Sequence, residues 1–315
     1  MNGILLKSAV VQEVMKMRVL YLVLLSPIVA ELVSGSTPFF TFFDPRVFVV
    51  YAGFYGLGCL IIREIAARKS LGYSSVLLLG AAFGVFEEGI LLKSWFDPAW
   101  MGAQITSQVL RVHGVSILQP FANVVYHAVV SITTPVLIMN ALYSREPWLS
   151  KKSLVLAGIF FVGSAGLLSR FNDYSIVGWQ YVLGIVLAVT FAGLGLKGLT
   201  FSPETRERSP QALWIAGSLF MVLLFFVFYT LGSAGMSWIV VLGAAVLLYG
   251  GYARLVTCTH FEATHYFASA SGVITGLVFI VVVMAKRDPS KILNVVAALF
   301  LVVYLVVLYR KNFSS

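Results

Sequence analysis

Two adjacent carboxylates, Glu87 and Glu88, close the otherwise apolar stretch Leu79-Gly80-Ala81-Ala82-Phe83-Gly84-Val85-Phe86-Glu87-Glu88-Gly89. Carboxylates this close in low dielectric do not both ionise readily, which leaves an acid beside a base. Such a pair can take a proton from water and return it to a leaving group. Gly80, Gly84 and Glu88 are four residues apart and share a helical face, so the small residues carry Glu88 towards a packed neighbour rather than lipid. A second set follows at Asn123, His127, Ser131 and Thr134, whose spacings of four, four and three make a polar stripe on one helix. Counted from the helix ends, Glu31, Glu87, Glu88 and His127 fall at similar depth, in the outer third of a bilayer. The chemistry expected of them is water activation by Glu87 or Glu88, with His127 and Asn123 steadying an oxyanion and Ser131, Lys93 and Glu31 nearby. A purely structural alternative has the pair brace neighbouring helices by binding Arg or Lys.

The elements that must position these residues are membrane helices. Of 315 residues, 59% are hydrophobic and only 11% charged, and a soluble domain carries about twice that charge. Apolar stretches long enough to cross a bilayer recur along the chain. They run from Met17 to Ser34, Arg46 to Ala66, Leu71 to Leu92, Gln119 to Tyr143, Ser153 to Leu168, and Ile176 to Leu196. Four more follow: Gln211 to Leu231, Ser237 to Val256, Tyr266 to Ala285, and Ile292 to Tyr309. The expected fold is therefore all-α, a polytopic bundle of about ten transmembrane helices forming a single integral membrane domain over residues 1–315. Helices within 1–143 carry the polar groups, and those within 153–315 are mostly apolar.

Charge sets an orientation. With the N-terminus inside, Arg46, Lys93, Arg111, Arg170, Lys286, Arg287 and Lys291 fall outside, leaving the other 15 of 22 basic residues inside. That bias predicts both termini in the cytoplasm and a multi-pass protein of the cell membrane. It also assigns the net charge of +9 to topology rather than to a nucleic-acid partner. The last outer loop, with Lys286, Arg287 and Lys291, breaks the pattern. The first segment carries Glu31 and has no clear small-residue cleavage site, unlike a cleaved signal peptide. The stretch Lys197 to Pro210 reads as a solvated linker.

Other clusters are weaker. Arg63-Glu64 reads as a local ion pair at an inner helix end, and Trp95, Phe96, Trp100 and Met101 read as interfacial residues of a lid, a re-entrant segment or an ordinary loop. Cys258, His260, Glu262 and His265 gather near an inner loop, but His260 and His265 are not at the i, i+4 spacing of a helical zinc site. No His-Glu-x-x-His, Gly-x-Ser-x-Gly or phosphate-binding loop occurs. The expectation is no metal and no cofactor.

The glutamate pair in a membrane helix, a following basic residue at Lys93 and a His on a later helix at His127 resemble the intramembrane glutamic peptidases. These comprise the CAAX prenyl-protease (CPBP) and PrsW types. The resemblance implies a helical membrane fold in which the first glutamate activates water and histidines stabilise the oxyanion. The basic residue stands farther from the pair than in that family, Phe121 precedes His127 by six rather than four, and no later His has Asn or Asp four residues on. Pro27 to Gly35, Pro38, Tyr55-Gly56, Ile62-Arg63-Glu64 and Gly80 to Gly89 also resemble an uncharacterised prokaryotic membrane-protein group.

Three functions fit these readings. One is a metal-independent intramembrane glutamic peptidase or hydrolase acting near the outer face. Another is a proton- or cation-coupled transporter of a small solute, and the third is a non-catalytic membrane subunit. The partners expected are the lipid bilayer and a membrane-embedded peptide or solute. The hydrolase requires Glu87 or Glu88 to lie within one water's reach of His127.

Overall fold

A computed structural model describes residues 17–100, 111–199, 208–231, 234, 236–257 and 262–313. It is an all-α polytopic membrane bundle. The first helix, α1, spans residues 17–33. Beyond α1, nine helices among the described residues are long and apolar enough to cross a membrane: α2 (Pro45–Arg68), α3 (Tyr73–Leu91), α4 (Leu118–Leu142), α5 (Lys151–Phe171), α6 (Gly178–Leu196), α7 (Pro210–Tyr229), α8 (Trp238–Val256), α9 (Ala263–Arg287) and α10 (Pro289–Phe313). The ten spans read from hydropathy recur with ends shifted by a few residues.

Local chemistry sets several boundaries. Asp44 caps α2, its Oδ1 accepting the Arg46 N–H at 2.9 Å with Pro45 in the first turn. Ser150 and Ser209 cap α5 and α7 in the same way, at 3.1 and 3.2 Å. The fifth span, short by hydropathy, is completed by Lys151, Lys152 and a 3₁₀ turn at Ser169–Phe171. Glu262 and His265 belong to the cap of α9, with the Glu262 N–H donating to His265 Nδ1 at 3.2 Å. Cys258 and His260, with Met101, lie outside the described residues.

Burial separates central helices from peripheral ones. The most apolar windows of α3 and α4 are 72% buried, whereas those of α5, α6 and α10 are 17% buried. The peripheral helices expose Val155, Phe160, Val182, Val189, Phe300 and Val303, which suits acyl chains and not water. α3 packs on α4 through its glycines. A β-carbon on Gly80 would lie 2.9 Å from Ala128 Cα, and one on Gly84 would lie 2.8 Å from His127 Cβ. In the second half, Gly217, Gly272 and Gly276 bring α7 and α9 together in the same manner.

Basic residues assigned to the outside have bonding roles. Arg46 pairs with Asp44, Lys93 Nζ donates to the Asn172 carbonyl at 2.6 Å, and Arg111 donates to the carbonyls of Phe96 and Gly114. Lys291 Nζ donates to Gly35 O at 2.7 Å, and Arg287 lies over the Tyr229 ring. The irregular charge of the last outer loop is thus spent partly on structure.

Two sequence expectations change. Trp95 and Phe96 are buried, not interfacial, with Trp95 against Gly89. The segment after the undescribed residues 101–110 forms a hairpin, β1 (Arg111–Val112) with β2 (Val115–Ser116), turned at His113 and Gly114, both of positive φ. Arg63-Glu64 is more than a local pair. Arg63 Nη1 donates to Glu64 Oε1 at 2.8 Å, and Glu64 accepts the N–H groups of Trp148 and Leu149 at 2.6 and 3.2 Å. Arg63 also reaches Asn140 Oδ1 at 3.1 Å and Ser144 O at 2.7 Å and lies 3.7 Å from the Trp148 ring centre. The pair clasps α2 to the α4–α5 turn.

Candidate functional site

Four helices converge on one polar centre, and each carries a π-helical turn there. The turns are Ile28–Val33 in α1, Ala52–Gly56 in α2, Val85–Leu91 in α3 and His127–Thr133 in α4. They contain Glu31, Tyr55, Glu87 with Glu88, and His127 with Ser131. π turns are rare and cluster at functional sites; a further one, Val227–Leu231, lies in α7. An i→i+5 turn advances each residue by less angle than an α-helix does. In α3, where the Leu92 N–H donates to Glu87 O at 2.8 Å, it lets both adjacent glutamates face α4.

The centre is the imidazole of His127, 3% exposed, between two carboxylates. Its Nδ1 lies 3.2 Å from Glu87 Oε2 and 3.1 Å from Ser131 Oγ, and its Nε2 lies 3.3 Å from Glu88 Oε1. Gly84 makes this approach possible, since any side chain there would meet the ring. Phe83, Tyr55 and Tyr126 wall the imidazole. Glu87 is 1% exposed, whereas the Glu88 side chain is 13% exposed and Asn123 is half-buried, so access is from the Glu88 side.

Hydrogen bonds extend from the centre both ways. Tyr55 Oη stands between Glu87 Oε1 and Glu31 Oε1, 2.6 Å from the latter. Thr37 Oγ1 donates to Glu31 Oε2 at 2.6 Å and lies 3.0 Å from Tyr51 Oη. On the accessible side, Ser94 Oγ donates to Glu88 Oε2, and Asn123 Nδ2 donates to Ser94 Oγ at 3.4 Å. Tyr55 has one hydroxyl hydrogen and faces a carboxyl oxygen on each side. One proton shared by Glu31 and Glu87 completes that bridge.

Six of the seven residues singled out in the sequence join this network: Glu31, Glu87, Glu88, Asn123, His127 and Ser131. Lys93 does not. It is buried in a left-handed conformation at the end of α3, and its ammonium is bonded to Asn172. Thr134 begins the α-helical turn after the π segment and has no hydrogen bond through Oγ1. Among the described residues no Lys or Arg lies within 4.0 Å of the carboxylates of Glu31, Glu87 or Glu88. Among the described residues these carboxylates thus form no brace on Arg or Lys. Tyr55, which in the sequence belongs only to a family-like pattern, joins the network with Ser94, Thr37 and Tyr51, four neutral side chains that charge and the stripe on α4 do not single out. The signal available was Tyr55, a hydroxyl-bearing ring in an apolar helix.

One ligand atom from each of Glu87, Glu88 and His127 lies within 4.8 Å of the others, a set that could hold a cation. Without one, the same groups form an acid–base cluster with a buried member, Glu87, and an accessible member, Glu88, joined through the imidazole.

A family model described as an uncharacterized membrane protein family matches residues 20–309. No curated protein and no solved structure matches the chain. The match fits the multi-pass membrane group that the sequence resembles and lends no support to the glutamic peptidase resemblance.

Proposed function

The chain belongs to this uncharacterized membrane protein family, and since the family's description carries no activity, we propose from the site itself that the protein is a membrane-embedded hydrolase. The observation that carries the reading is His127 held between the buried carboxylate of Glu87 and the accessible carboxylate of Glu88. Glu88, the more exposed of the pair, takes a proton from water as the water oxygen adds to the carbonyl carbon of a peptide or related bond. Asn123 Nδ2 donates to the oxyanion that forms. Glu88 returns the proton to the leaving nitrogen as the C–N bond breaks, so no net proton is consumed in the cycle. Glu87 and Ser131 fix the imidazole from its Nδ1 side, and Nε2 orients Glu88. The reaction sits near the membrane face that charge assigns to the outside.

The test is cleavage of membrane-embedded peptides by the reconstituted protein, read by mass spectrometry. Glu88→Gln should lower the rate at least 100-fold with helicity and monodispersity unchanged. Cleavage by Glu88→Gln at the wild-type rate, or none by wild type across a diverse peptide set, would refute it.

A second reading is proton-coupled transport of a small solute. It draws on the chain of polar groups Tyr51–Thr37–Glu31–Tyr55–Glu87–His127–Glu88–Ser94, hydrogen-bonded at every link but Glu87–His127, where a 3.2 Å ionic contact stands, as a route for a coupled proton. Proton-driven solute uptake into proteoliposomes, abolished by Tyr55→Phe and without any cleavage, would favour it over hydrolysis.

A further inference from the structure

Each of the three central side chains has one atom tied outward and one left facing the centre. Glu87 Oε1 is taken by Tyr55, Glu88 Oε2 by Ser94, and His127 Nδ1 by Ser131 at 3.1 Å. That leaves Glu87 Oε2, Glu88 Oε1 and His127 Nε2. Outer hydrogen bonds of this kind orient metal ligands: a partner on the far imidazole nitrogen fixes which nitrogen faces the ion, and a partner on the far carboxylate oxygen fixes the near one.

Two further observations point to a ligand. Glu87 Oε2 is fully buried and accepts no hydrogen bond, because its 3.2 Å approach to His127 Nδ1 lacks hydrogen-bond geometry and Ser131 also claims that nitrogen. An orphaned buried carboxylate oxygen is costly, and a cation relieves it. The charge balance is also incomplete. Two carboxylates meet one imidazole, with no Lys or Arg paired to them among the described residues. A divalent cation with two carboxylates and a neutral imidazole is electrically balanced.

Spacing agrees. Metal–ligand bonds of about 2.0–2.1 Å in a tetrahedron put neighbouring ligand atoms about 3.3 Å apart. The Nε2–Glu88 Oε1 separation here is 3.3 Å, and one ligand atom from each of the three side chains lies within 4.8 Å of the others. We propose that Glu87, Glu88 and His127 bind one divalent transition-metal cation, with Zn²⁺ the probe of choice. One nitrogen and two carboxylate oxygens suit zinc, manganese or ferrous iron rather than a soft monovalent ion. Three protein ligands leave a coordination position on the Glu88 side for water. This deepens the hydrolase reading and rests on it for the use made of the metal; the binding itself stands on the three side chains alone.

The experiment uses the full chain in phosphatidylcholine nanodiscs, stripped with a chelator and dialysed against Zn²⁺, with metal measured by mass spectrometry. About one Zn²⁺ per chain is expected, lost in Glu87→Gln and His127→Gln. Ser131→Ala should bind 10- to 100-fold more weakly without losing the site, the usual effect of removing an outer partner. Co²⁺ in the wild type should give the intense visible bands of a four-coordinate ion, a signature that needs no variant to fold. The proposal falls if the wild type retains no more Zn²⁺ than Glu87→Gln, or if Co²⁺ shows only its aqueous spectrum. Metal-free protein that cleaves at full rate would overturn the use of the metal in hydrolysis and keep the hydrolase. Glu87-dependent binding of one Zn²⁺ in a protein that cleaves nothing would do the reverse.

Discussion

Glu64→Ala should unfold the inner end of the first four helices while leaving the polar centre chemically intact wherever the fold survives. The Glu64 carboxylate is fully buried, and it neutralises Arg63, itself 1% exposed, at 2.8 Å. It also accepts the Trp148 and Leu149 N–H groups at 2.6 and 3.2 Å and lies 3.5 Å from Arg68. Deleting one member of a buried ion pair costs about 3–5 kcal/mol, because the survivor keeps its desolvation without its partner. Two orphaned backbone donors would add about 1–3 kcal/mol each if they stayed dry. The α4–α5 turn stands at the end of its helices and can admit water, so most of that addition should be avoided and the net loss should stay near 3–5 kcal/mol. Arg63 would keep Asn140, Ser144 and the Trp148 ring, none of which carries negative charge. Reversible unfolding in mixed micelles, followed by circular dichroism, measures the loss. The double variant Arg63→Met/Glu64→Leu should recover most of it, since an apolar pair in a buried site is often no worse than an ionic one. A loss below about 1 kcal/mol for Glu64→Ala, well short of the buried-pair cost, or a double variant as unstable as the single, would refute the reasoning.

Two further outcomes test the packing and the helix start. Gly84→Val must push α4 away, because its β-carbon would stand 2.8 Å from His127 Cβ, and overpacking of this kind costs about 1–3 kcal/mol. It should abolish peptide cleavage and Zn²⁺ uptake, whereas Gly166→Ala, where a β-carbon meets nothing within 4 Å, should change neither. At the start of α2, the Arg46 guanidinium and backbone N–H hold the Asp44 carboxyl down at about 2, below the ordinary value of about 3.9. A depressed carboxyl contributes stability that is present above the ordinary value and lost as pH falls through about 2. Asp44→Asn keeps a capping oxygen but cannot titrate, so the melting-temperature gap between it and wild type should narrow from pH 4 to pH 2. A constant gap across that window would show that Arg46 does not hold the Asp44 carboxyl down.

The bundle was readable because lipid leaves few alternatives: an apolar run must satisfy its backbone within itself, and the apolar runs became helices, nine of them among the described residues long and apolar enough to span. The Lys93–Pro120 stretch was misread for a related reason. Trp95 and Phe96 have the composition of an interfacial belt, yet the chain turns back after α3 and packs them beneath the hairpin, where the Ser116 N–H donates to Trp95 O at 3.1 Å. Composition cannot separate an aromatic at the bilayer surface from one folded under a loop. Lys93 was misassigned with them, since its distance from Glu88 along the chain carries no information on which way a left-handed residue turns its side chain.

The site was legible where it depended on spacing within one helix and hidden where it depended on contact between helices. Glu87, Glu88 and His127 stood out as charge in apolar runs, and Gly80 and Gly84 marked the face that joins them. Tyr55 is neutral and carries no such mark, yet it alone connects Glu31 to Glu87, and the π turns that aim these residues have no sequence signal that hydropathy can register. The same geometry bears on which chemistry it serves. A transporter built from two related halves sets its coupling site between them. Here every carboxylate and the imidazole come from α1, α3 and α4. Among the described residues of the second half, Asn294 donates to Leu32 O and Thr37 O, both at 2.8 Å, and Lys291 to Gly35 O. Those contacts fasten the turn behind Glu31 and supply no second set of ionisable groups. A one-sided cluster braced from behind favours the proposed water activation over transport, because electrostatic catalysis gains from groups already in place when charge develops. Alternating access would require this brace to release, so a disulfide-compatible crosslink between the Gly35 turn and α10 should stop solute transport and leave hydrolysis running.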